Sequence, residues 1–210
     1  MALFHIIPAF ALTALVLAMV PGQGVAMVLR QTMIGGARCA YVSVAGNSLG
    51  LVIWGLASAI GLSQVFAHSQ VAYNILKFAG VAFLVFLAVQ TLFELRNVAG
   101  KFNVQGQARV RPAAAFRLGL ITNLTNVKAA VFAVAFIPQF VPRDFSLATG
   151  IITLACVQAL VATCWYATLV TSVDRAATVL AKPTVRRWLT GLSAIGLIAL
   201  ATVLLFSSPR

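Results

Sequence analysis

The residues best suited to chemistry are amides and a cation inside apolar sequence. Asn123-Leu124-Thr125-Asn126-Val127-Lys128 interrupts one apolar stretch, and Pro21-Gly22-Gln23-Gly24 interrupts another. A lysine at the centre of a membrane helix costs about 2.5–3.5 kcal/mol, so Lys128 needs a reason to be there. One reason is recognition of a substrate carboxylate, with Asn123 and Asn126 giving directional hydrogen bonds beside it. The other is structural, a lysine pinned by backbone carbonyls freed at a helix break. Pro21, Gly22 and Gly24 let the first helix open or kink, and its freed amides would suit a carboxylate. Gln23 could line the same space. Asn47 needs partners in a dry environment, from a neighbouring helix or a cavity. Gln158 and Tyr166 either reach that cavity wall at different depths or make helix-packing hydrogen bonds.

Enzymatic chemistry finds little support. Gly46-Asn47-Ser48-Leu49-Gly50 matches G-x-S-x-G, but within an apolar helical run and not at a strand-to-helix turn. His5 and His68 are both expected near the outer face, far from Ser48. There is no H-E-x-x-H, paired-cysteine motif or carboxylate cluster to hold a metal, and no cofactor is implied. Cys156 and Cys164 would lie about 12 Å apart along one helix, too far for a disulfide, and read as small apolar fillers. The chain is read as a non-enzyme.

The elements that must position these residues are apolar. The 210 residues are 61% hydrophobic and 9% charged, against about 45–50% and about 25% in soluble domains. Spans of about 20 residues are expected near 4–28, 40–64, 71–93, 115–140, 146–171 and 188–207. The chain is therefore an all-α integral membrane protein of six transmembrane helices, a single domain over 1–210. Met1 to Val20 is read as a retained span, because it lacks a basic n-region and an A-x-A-like cleavage site.

The net charge of +12 does not indicate nucleic acid. Arg30 and Arg38 follow span 1, Arg96 to Arg117 follow span 3, and Arg175 to Arg187 follow span 5. Lys77, Arg143 and Arg210 fall on the other side. This asymmetry puts the basic connections in the cytoplasm, against anionic lipid, and both termini outside. Three spans per half make the halves run oppositely, the arithmetic of a 3+3 inverted repeat with helices 1 and 4 broken. Counted from the cytoplasmic ends, both breaks lie at similar depth and can face one another. Gly46 and Gly50 form a G-x-x-x-G for close helix packing.

Three blocks resemble the LysE/RhtB family of bacterial amino-acid exporters. Pro21-Gly22-Gln23-Gly24, with Gly35, Gly36, Arg38, Gly46 and Gly50 downstream, looks like the family's P-G-P opening and following glycines. Leu76 to Leu84 is similar to L-K-x-x-G-x-x-Y-L. Asn123 to Lys128, leading to Phe136-Ile137-Pro138-Gln139-Phe140, looks like N-x-x-N-P-K…F-x-P-Q-F. The resemblance implies a multi-pass secondary transporter of the bacterial inner membrane, exporting amino acids or close derivatives and coupled to protons. It adds Pro138 to the helix-break or gating residues Pro21, Gly22 and Gly24. Gln23 and Val127 stand where the family has its second prolines, and no acid lies at a membrane centre. A site with Lys128 and amides but no acid suits a neutral, homoserine- or threonine-like zwitterion, or a more anionic substrate. The rival readings are a non-transporting scaffold subunit and an ion or metal exporter of the wider superfamily. A homo-oligomer is left open.

Overall fold

Seven helices carry the described part of the chain, which comprises residues 2–20, 22–68, 70–94, 111–142, 144–172 and 183–206 of a computed structural model. They are α1 (Ala2–Met19), α2 (Gln23–His68), α3 (Gln70–Glu94), α4 (Pro112–Leu124), α5 (Val127–Val131, continuing to Phe140), α6 (Leu147–Thr171) and α7 (Pro183–Phe206). No strand occurs among the described residues. Two of the helical stretches are long and apolar enough to cross a membrane, Gln23–Gly61 and Leu147–Thr171. The pair α4 and α5, bent by 57° at its break, is a third if taken as one span. Pro21, the long basic connection over 95–110 and Arg143 lie outside the described residues.

The first break differs in extent from the sequence expectation. Gln23 and Gly24 are already helical, and the interruption is confined to residues 20–22 around Pro21. The connection expected between spans 1 and 2 is present but short: two helical stretches within Gln23–His68 meet at a kink at Gly36, at φ 74 and ψ 174. Only glycine reaches that backbone conformation without a steric penalty.

α2 packs chiefly on α4 and α6, and α3 packs on α7. The α2–α4 contact is parallel: Ser43 and Asn47 meet Gly119, and Gly50 meets Asn123. Glycines make this approach possible. A Cβ at Gly46 would collide with the Phe116 carbonyl, and one at Gly119 with the Ser43 carbonyl. The α2–α6 contact runs the other way, with Gly55 against Ala155 and Ser48 bonded to Thr163 at 2.6 Å. Both pairings therefore bring backbones together at small residues, as membrane helices do where hydrophobic driving force is absent.

Beyond Val131 the helix α5 loosens. Phe132–Phe136 forms a π-turn and Ile137–Phe140 a 3-10 turn. Pro138 has no N–H to continue the ladder, which accounts for the change of winding there. Here Phe10 of α1 meets Phe132 and Phe140 at ring separations of 6.0 and 5.3 Å. Phe136 stacks on Phe132 at 4.8 Å, closing a buried aromatic cluster. Cys156 and Cys164 are exposed on α6, so the expectation that they fill the interior is corrected.

Candidate functional site

The two breaks meet. α4 ends at Leu124, and Asn126 caps the next helix by accepting a hydrogen bond from the Lys128 backbone N–H at 3.1 Å. An asparagine at that position stops one helix and starts the other, because its side chain replaces a missing intrahelical acceptor. Lys128 is then in the first turn, and its Nζ crosses to the Leu17 carbonyl of α1 at 3.1 Å. That carbonyl would ordinarily accept from the residue four positions on, which is Pro21 and has no N–H. A Cβ on Gly22 would lie 3.7 Å from Lys128 Nζ, so the first break also faces the lysine.

Six of the expected residues line one cavity at this junction. Asn47, Asn123, Asn126, Lys128, Gln158 and Tyr166 share it with small apolar walls from Ala14, Leu17, Ala18, Leu51, Ala129 and Ala162. Asn123 Nδ2 donates to Asn47 Oδ1 at 3.3 Å, joining α4 to α2. Asn47, Asn123 and Gln158 are 2%, 3% and 4% exposed, so their polar atoms are sealed from solvent. Asn123 Oδ1 and Gln158 Oε1 nonetheless have no hydrogen-bond partner within the protein. Leaving a buried acceptor unpaired costs about 1–3 kcal/mol.

The volume is about 30 Å³. That admits a water or two, whereas small-molecule sites span roughly 300–1,000 Å³. The space is too small for an amino acid, which requires the walls to part.

Gln23 is not in this cavity. It is exposed and lines a second, larger pocket with Arg30 and the outer face of α4. Gly24 is buried against Tyr166, and a Cβ there would strike the tyrosine hydroxyl. Pro138 is buried within the 3-10 turn, away from the cavity lining. Among the described residues no three His, Cys, Asp or Glu side chains cluster to hold a metal.

Sequence reasoning missed Leu17, whose signal was available: it stands four residues before a proline. It also missed Trp54, whose indole Nε1 donates to the Asn123 carbonyl at 3.3 Å and braces the second break from α2. A tryptophan within an apolar run carries no such signal.

The family model described as LysE type translocator matches residues 15–208. A homoserine/homoserine lactone efflux protein of Salmonella typhi is 34% identical over 146 residues, 69% of each chain. The uncharacterized membrane protein YrhP of Bacillus subtilis is 26% identical over 179 residues, 82% of this chain and 85% of the relative. A leucine efflux protein of Salmonella choleraesuis is 27% identical over 128 residues, 61% of this chain and 59% of the relative. No solved structure matches.

Proposed function

Because the chain belongs to the LysE type translocator family, a family of membrane exporters, we propose that it exports a neutral amino acid of homoserine or threonine type across the bacterial inner membrane. One observation carries the choice of substrate. The cavity holds a lysine ammonium and, beside it, two buried amide oxygens without partners. A zwitterion brings the matching pair, a carboxylate for the Lys128 Nζ and an ammonium for the Asn123 and Gln158 oxygens. Lys128 has three N–H donors and gives one to Leu17, so its other donors remain for the substrate. Among the described residues no acid lines the cavity to receive a cationic side chain, which disfavours lysine and arginine as cargo. The homoserine and leucine named for the relatives both have uncharged side chains, in keeping with this.

The mechanism in this reading is alternating access within a 3+3 inverted repeat of six spans, both termini outside. The breaks at residues 20–22 and 125–126 act as the bending points, and the cavity widens around Lys128 when the halves rock. Substrate enters from the cytoplasm, its carboxylate takes a Lys128 N–H, and Asn47, Asn123 and Asn126 fix its orientation. Parting of Phe10 from Phe132 and Phe140 then opens the outer side.

Cells expressing the protein or Lys128→Met are loaded with an amino-acid mixture, and the medium is read by mass spectrometry. Release of homoserine or threonine by the wild type, lost in Lys128→Met at equal membrane abundance, is the expected result. Undiminished release by Lys128→Met overturns the assignment of the site, and release no greater than from empty-vector cells overturns export itself.

A further inference from the structure

The pocket that holds Gln23 is unexplained by a single central site. It is an open groove, with Gln23, Ala26, Arg30, Ile121 and Thr125 exposed along it, and its volume is about 360 Å³ against about 30 Å³ for the central cavity. Its walls are Gln23, Ala26, Met27 and Arg30 on the first part of α2, and Leu118, Ile121, Thr122 and Thr125 on α4. α4 contributes to both linings, and these α2 residues follow directly on the first break. Thr122 and Thr125 alternate with Asn123 and Asn126, and Gln23 follows Gly22, which faces Lys128. In the topology proposed above, the larger space lies on the cytoplasmic side of the smaller one.

The chemistry of the walls is directional. Arg30 supplies a guanidinium, Gln23 an amide and Thr122 a hydroxyl. Among the described residues no acid lines this pocket. A guanidinium presents a planar fork matched to an incoming carboxylate.

We infer that this pocket is a cytoplasmic vestibule that binds the substrate's carboxylate on Arg30, with Gln23 and Thr122 beside it, before the amino acid passes the two breaks to Lys128. The inference rests on the export reading and adds a second binding site to it. Two cations met in succession would conduct a carboxylate inward and repel cationic amino acids at both stations. A lactone, which has no free carboxylate, gains nothing at the first.

The test uses inside-out membrane vesicles bearing the full chain, whose bath is the cytoplasmic face. Initial uptake of L-homoserine and of L-homoserine lactone is measured over a concentration series, before the lactone hydrolyses. Losing one charge-assisted hydrogen-bonding partner is worth about tenfold in affinity. Arg30→Gln is therefore expected to raise the half-saturating homoserine concentration about tenfold, with the maximal rate kept and the lactone curve unmoved. Arg30→Lys, which preserves the charge and the membrane topology, is expected to recover part of the loss. Lys128→Met differs by losing maximal rate. An unchanged homoserine curve in Arg30→Gln overturns the vestibule while leaving export intact. An equal shift for homoserine and lactone also overturns it, since a general distortion would act on both. If the wild type takes up neither probe, the export reading fails and the vestibule fails with it.

Discussion

Gly119→Ala should loosen the protein at its centre although it adds only a methyl group. The new Cβ would stand 2.7 Å from the Ser43 carbonyl carbon and 3.0 Å from the Asn47 backbone nitrogen, and nearer still to the Ser43 oxygen. All three are backbone atoms, so no rotamer change relieves the contact. Ordinary contact begins at 3.4 Å, which requires α4 and α2 to part by at least about 0.7 Å. The same displacement takes the Asn123–Asn47 hydrogen bond from 3.3 Å to about 4.0 Å, beyond hydrogen-bond range. Overpacking of this kind costs about 1–3 kcal/mol, and the gain in helix propensity returns about 1 kcal/mol. The net loss is up to about 2 kcal/mol, a fall of roughly 4–8 °C in the thermal midpoint. The assay is thermal unfolding in detergent, with homoserine release measured in the same variant. Gly61→Ala and Gly191→Ala are the controls, because among the described residues nothing lies within 4 Å of a Cβ at either; each should hold or raise the midpoint. A Gly119→Ala protein as stable as the wild type would refute the backbone contact as described.

Gly24→Ala is expected to lower the midpoint by driving the Tyr166 ring from its seat, its Cζ standing 3.0 Å from the new atom. In Tyr166→Ala the same substitution should cost almost nothing, and a cycle showing simple additivity would rule out the contact. Ser58→Ala removes the Oγ–H that donates to the Ala133 carbonyl at 2.8 Å and should cost about 1–3 kcal/mol in unfolding measurements. Ser58→Thr, which keeps the hydroxyl, should recover most of the loss.

What was legible in the sequence was legible for a physical reason. Pro21 and the Asn123–Lys128 run mark breaks because proline lacks a donor and asparagine competes for backbone groups. These signals are local and need no knowledge of neighbours. The identities of the polar cavity residues followed, since an amide or lysine in an apolar run must find a partner. Gln23 was assigned to the wrong space because one residue along a helix turns the side chain by about 100°, enough to put it through to the other face. The π-turn over Phe132–Phe136 was missed although Pro138 announces some disturbance, because the form it takes depends on what α2 and α1 supply to it. The apolar half of the cavity was illegible: Ala14, Ala18, Ala129 and Ala162 look like any small residue in a membrane helix.

The two prolines make one argument together. Pro21 cannot donate to the Leu17 carbonyl, and Lys128 Nζ does so instead, at 3.1 Å. In the π-turn, Ile137 N–H donates to the Phe132 carbonyl five residues back. The next bond in that series would run from residue 138 to the Ala133 carbonyl. Pro138 has no donor to make it, and Ser58 Oγ does so at 2.8 Å. Each missing N–H is thus replaced by a side chain from another helix, so each irregularity holds its shape only while that helix is in place. The two replacements are not alike. Ser58 is fixed on α2 by its short side chain, whereas Lys128 reaches across on a flexible stem with further N–H groups. In the proposed mechanism a carboxylate takes the remaining Lys128 N–H groups and draws the ammonium away from the Leu17 carbonyl, which loosens the tie between the breaks. In this reading the cargo's own charge releases the first break, and the serine-held π-turn stays as the rigid edge against which α1 moves.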